Sequence, residues 1–277
     1  MSRAAKGVLA LGAAVALWRT ADLFLFTDVP TGFGAGGAAW RYAAMGLCAL
    51  AALALPLAVP KQKMAQPDVP GPQAPLCAAF GAVCAAFGLW APLSLALYGT
   101  QLSGHHVTPR REMLAALGLV SRGVWFLALG AVCLLAAWRA YTKQKKRALA
   151  LGPGAAASGA LYLHAVLRFL DAPASLHHVQ PTLEVLGAVC AVLFFAALLR
   201  ALSPEGARAR WVCRTGLAAF YFCTCWGLPQ LVWQLCTGAE GGTPTLAAIA
   251  LALLGLWGAA VACRALGEKA AAGPAPE

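Results

Sequence analysis

The sequence predicts an all-α membrane protein of eight transmembrane helices, arranged as four tandem helical hairpins, and three observations lead there. Apolar windows long enough to span a bilayer recur along the chain, basic residues gather in every second connection, and one stretch returns at a separation of 72 residues. Of the 277 residues 61% are hydrophobic and only 11% charged, and the mean hydropathy is +0.71. A soluble domain is about half apolar and about a quarter charged, so this chain has too few polar side chains to clothe a water-facing globule. Lipid is its expected solvent.

A helix needs about 20 apolar residues to cross the hydrocarbon core. Eight windows meet that length, at roughly 6–27, 38–59, 76–99, 110–138, 150–171, 181–202, 212–235 and 244–265. They pair into hairpins over about 6–59, 76–138, 150–202 and 212–265, which together make one membrane domain of residues 1–267. The first window follows Met1-Ser2-Arg3-Ala4-Ala5-Lys6, the charged start of a secretory signal, but its apolar run continues to Phe26. That is too long for a signal core and reads as an uncleaved signal anchor. The stretch 268–277, ending Gly-Pro-Ala-Pro-Glu, is expected to be a disordered tail.

Orientation follows from charge. Arg3 and Lys6, Lys61 and Lys63, Arg139 to Arg147, Arg200 to Arg214, and Arg264 and Lys269 hold 15 of the 21 Lys and Arg residues, all in connections on one side. On the other side the connections hold Arg110 and Arg111, and the remaining four arginines lie within or at the ends of spans. The positive-inside rule therefore places both termini in the cytoplasm of a bacterial-type cell membrane. The net charge of +11 belongs to this pattern and comes with no nucleic-acid motif. The basic linker Arg139–Arg147 is expected to meet anionic lipid, and the Pro- and Gln-rich linker Pro60–Pro75 to form a surface loop. Nothing in the sequence sets an oligomeric state.

The repeated stretch is HHVxPxxExL, at His105–Leu114 and again at His177–Leu186, and it contains four of the five histidines. Trp18, Trp90 and Tyr162 keep the same interval of 72 within odd-numbered spans, with Trp226 as a fourth counterpart after a shortened linker. A period of this length marks a repeated supersecondary unit. Each unit crosses twice, so the copies share one orientation, as in the parallel repeats of some transporters. Pro109, Pro181 and Pro244 open three of the even-numbered spans, where the missing N–H has no helical partner to lose. Hairpin one departs from the pattern, its second span following Gly34-Ala35-Gly36-Gly37.

Charges inside spans are expensive and mark candidate ligand-binding residues. Arg122 lies about 18 Å along its helix from Pro109, near mid-bilayer, with no acidic residue one turn away. Arg19 and Asp22 stand at i, i+3 and read as a local ion pair; Arg168 and Asp171 repeat that spacing at the end of the fifth span. His164 is one turn from Arg168 on the same face. The candidate metal ligands are His105, His106, Glu112, His177, His178 and Glu184, which two neighbouring hairpins would bring to one side of the membrane for a divalent ion. The alternative for these is duplicated loop chemistry, with each Glu favoured by a helix N-terminus.

The ten cysteines lie almost entirely in apolar runs without CxxC spacing and read as small apolar residues. No GxSxG, Walker A, HExxH or CxxCH is present, so no reaction class is indicated and no catalytic residue is assigned. Repeat, intramembrane arginines and His/Glu duplication point to a transporter-like or small-ligand or ion-binding protein, with a polar site open to the extracytoplasmic face. The readings from other classes are a non-catalytic scaffold or accessory subunit, and a membrane-embedded enzyme. A cavity lined by the buried polar groups would favour the first; mutual pairing in a tight bundle would favour the scaffold.

Overall fold

The structure is a computed structural model that describes residues 3–29, 34, 39–59, 73–98, 109–142, 151–171, 179–203, 206–238 and 244–271. Among them every regular element is a helix: α1 Arg3–Phe26, α2 Ala39–Ala54, α3 Ala74–Tyr98, α4 Pro109–Tyr141, α5 Leu151–Ala157, α6 Gly159–Asp171, α7 Val179–Leu202, α8 Ala209–Ala219, α9 Gly227–Thr237 and α10 Thr245–Ala271. Six helical segments are long and apolar enough to cross a membrane, namely Ala4–Phe26, Ala39–Leu57, Ala74–Leu97, Met113–Tyr141, Thr182–Ala201 and Thr245–Leu266. Leu17 and Leu25 are 73% and 72% exposed along α1, as befits side chains whose solvent is hydrocarbon.

The fifth and seventh apolar windows hold interrupted helices rather than single α-helices. Between α5 and α6 the Ser158 hydroxyl bonds back to the Ala155 carbonyl at 2.6 Å, a local competitor of the helical ladder. Gly159 follows, and the Trp125 ring of α4 lies 3.0 Å from where its Cβ would be. The seventh window widens into a π-turn at Phe220–Trp226 between α8 and α9. Pro229 explains the position: it has no N–H for the Cys225 carbonyl, so the α-pattern fails one turn before it. The Cys223 thiol donates to the Gly187 carbonyl of α7 at 3.1 Å, and the Thr224 hydroxyl to the Ala252 carbonyl of α10 at 2.8 Å. The turn is thereby pinned on both sides.

Helix α10 lies at the centre. One core joins α3, α4, α5, α6, α7 and α10 around Phe80, Phe87, Phe126, Phe194 and Trp257; another joins α1, α2, α7, α8, the π-turn and α10 around Val8, Met45, Leu217, Tyr221 and Trp226. Close approach relies on glycine at two crossings. A Cβ at Gly88 of α3 would stand 2.7 Å from the Leu127 nitrogen of α4, and one at Gly216 of α8 2.8 Å from the Gly258 carbonyl oxygen of α10. Small residues of this kind let membrane helices pack backbone to backbone.

Expected helix starts are found: α4 begins at Pro109, α7 at Val179 two residues before Pro181, and α10 directly after Pro244. The aromatic series does not share one environment. Trp18 packs edge-on against Trp226 at 5.3 Å, while Trp90 and Tyr162 are 44% and 51% exposed. At the opposite end Arg210 of α8 donates to the carbonyls of Val59 at 2.8 Å and Leu57 at 3.1 Å, satisfying the open end of the turn that continues α2. The linkers 60–72 and 143–150 and the last residues 272–277 lie outside the described residues; α10 itself carries the backbone through Ala271, into the stretch expected as a tail.

Candidate functional site

The last turns of α1 carry Trp18, Arg19 and Asp22 on one inward face. The local pair expected from the sequence forms, with Arg19 Nη1 on Asp22 Oδ2, but it is half of a larger arrangement. Arg41, three residues into α2, donates from Nε to both Asp22 carboxylate oxygens at 3.0 Å and from Nη2 to Oδ1 at 2.6 Å. The same Nη2 reaches the Phe26 carbonyl at 3.2 Å and so caps the end of α1. Gly34 is placed so that a Cβ there would overlap the Arg41 guanidinium. Arg19, Asp22 and Arg41 are all buried.

Aromatic rings complete the setting. Arg19 lies over the Trp226 ring at 5.3 Å and Arg41 over Trp40 at 5.1 Å, and Trp18 meets Trp40 edge-on at 4.9 Å. Cation–π contacts of this kind gain strength where water is excluded. Arg19 also donates from Nη2 to Gln230 Oε1 of α9 at 3.0 Å, which ties the first hairpin to the last. Two guanidiniums thus share one carboxylate, and Gln230, bonded to one of them, is neutral.

A second polar cluster stands on α4, α6 and α7. Arg168 Nε donates to Glu184 Oε2, from α6 to α7. The sequence had set Arg168 beside Asp171, whose side chain lies outside the described residues. His164 is 1% exposed, one turn from Arg168, with the Phe126 ring edge-on at 5.9 Å. Among the described residues neither of its ring nitrogens has a hydrogen-bond partner. The charges acting on it are those of Arg122 and Arg168. Arg122 is half-buried on α4 and belongs to this cluster through its charge on the His164 ring.

One cavity touches both clusters. Arg19, Glu184, Gln230 and Gln234 line it together with Leu183, Phe222, Leu231 and Leu251. Gly187 and Gly227 open it by presenting backbone alone. It offers about 50 Å³ to the centres of water-sized molecules. About 10–15 Å³ of such space holds one water, so three to five waters, or an organic group of roughly that bulk, fit. Three buried donors on its lining side chains have no hydrogen-bond partner among the described residues: Arg19 Nε, Trp226 Nε1 and Gln230 Nε2.

The structure therefore brings Arg19 and Asp22 together, and separately Arg122, His164, Arg168 and Glu184. His105, His106, His177 and His178, with the side chain of Glu112, lie outside the described residues, and among those described no group of three or more His, Cys, Asp or Glu is placed to hold a metal ion. Arg41 and Gln230 are the members that sequence reasoning missed. Each had a signal: Arg41 opens the helix that returns from Asp22, and Gln230 follows Trp226 by four residues as Asp22 follows Trp18.

Comparison with protein-family models, curated proteins and solved structures gives no match. The site rests on its own geometry.

Proposed function

We propose that this chain is an eight-span protein of a bacterial-type cytoplasmic membrane, with both termini in the cytoplasm, that binds a small ligand in the cavity between α1, α7 and α9. Supporting the count, the interrupted pairs α5–α6 and α8–α9 each continue through their break and complete the six long helices. With basic connections facing the cytoplasm, the end of α1, the start of α7 and the end of α9 lie toward the extracytoplasmic side, and so does the cavity. The observation that carries the reading is the meeting of Arg19, Gln230 and Glu184, from three helices, around one space inside an apolar bundle. An ionised side chain buried within a membrane bundle is costly, a burden that packing alone does not require. The π-turn supplies Phe222, Cys223 and Trp226 to the lining, and such turns recur at functional sites. Interrupted helices beside the site are also how transporters build substrate sites.

A scaffold or accessory role is the second reading, favoured by the saturation of Asp22 and the pairing of Arg168 with Glu184. Filling the cavity separates them. Purified protein and an Ala248→Phe variant, whose new ring would occupy the cavity beside α10, are screened by thermal unfolding against small water-soluble compounds. The binding reading expects compounds that stabilise the parent and leave the variant unmoved. Equal responses throughout would leave the scaffold.

A further inference from the structure

Resting on that binding reading, we propose that the cavity takes a small monocarboxylate, its acid group against Arg19 and Gln230 and its hydrocarbon against Leu183, Phe222 and Leu251. Charge comes first. Asp22 divides its carboxylate between Arg19 and Arg41, so the Arg19 guanidinium that lines the cavity has only a shared counter-charge from it in a medium that screens charge poorly. Hydrogen bonding agrees. Arg19 Nε and Gln230 Nε2 are donors without acceptors, and a buried donor left unmade is costly, so an acceptor-rich anion completes the site and a cation does not.

The size and the other lining residues then narrow the class. The space suits about three to five waters, on the order of a two- to four-carbon acid. Leu183, Phe222 and Leu251 give it apolar company, which a bare inorganic anion would not use. Glu184, bonded by Arg168, also lines the cavity and repels a second carboxylate, so a monoacid is favoured over a diacid. The same acid group could arrive in water or at the head of a membrane fatty acid.

The full chain in nanodiscs is dialysed against labelled butyrate, with n-butylamine, succinate and bilayer oleate as competitors, in parent, Gln230→Leu and Ala248→Phe forms. Butyrate should bind saturably, resist n-butylamine and succinate, weaken about tenfold or more in Gln230→Leu, and be lost in Ala248→Phe. Displacement by oleate would identify a lipid-borne source of the acid, and failure of oleate to compete a soluble one. If n-butylamine binds in place of butyrate and Ala248→Phe abolishes it, the carboxylate is overturned while the binding site stands. Unchanged butyrate affinity in Gln230→Leu overturns the proposed pose. No probe bound by the folded parent overturns the proposal, and with an empty screen the binding reading as well.

Discussion

Arg41 holds Asp22 by three hydrogen bonds from the neighbouring helix, Nε at 3.0 Å to each carboxylate oxygen and Nη2 at 2.6 Å to Oδ1. The pair closes the first hairpin at the end where α1 stops and α2 begins. Because Arg19 takes the same carboxylate, one acid joins two helices and orients the arginine that lines the cavity.

Removing that acid should be severe. Asp22→Asn leaves two buried guanidiniums without their counter-charge, and breaking a buried pair from one side costs about 3–5 kcal/mol. Unfolding in mild detergent should show a loss of that order, and adding Arg41→Gln should recover part of it by removing one stranded charge. A variant as stable as the parent would deny the cluster its structural role.

Gly34 should behave as part of the same device. A Cβ at Gly34 would overlap the Arg41 guanidinium, so Gly34→Ala must push the arginine away from Asp22. Nothing stands within 4 Å of a Cβ at Gly7 in α1, where Gly→Ala should stabilise by about 0.5–1 kcal/mol. Unfolding midpoints that move in opposite directions would confirm the contrast.

Arg168 and Glu184 should be energetically coupled. In a cycle of Arg168→Gln, Glu184→Gln and the double variant, the departure from additivity is expected at about 0.5–3 kcal/mol, because the two side chains bond each other directly. Additive losses would mean that the two side chains act independently.

Topology can be read with reporters. Fusions after Lys146 and at the C-terminus should report cytoplasm, and one after Gly241 the outside, given 15 connecting basic residues on one side and two on the other. An external C-terminus would remove one crossing from the proposed eight.

Composition, length and charge are properties of the chain itself, and what depends on them was legible in order: helical class, apolar helices near their observed bounds, and prolines at or beside the starts of α4, α7 and α10. Arg19 with Asp22 was legible too, because three residues on a helix set the distance between them. Arg41 and Gln230 were not, since nothing within one helix says that Asp22 accepts from across the hairpin or that Arg19 reaches α9, more than 200 residues on. Arg168 shows the limit most clearly: its sequence neighbour Asp171 suggested one partner, and the packing of α6 on α7 supplied Glu184. Hydrophobic periodicity tells a residue which way to face. Which buried charge it meets there is decided by the helix packed against it, because in a medium without water each ionised group must find its counterpart through space.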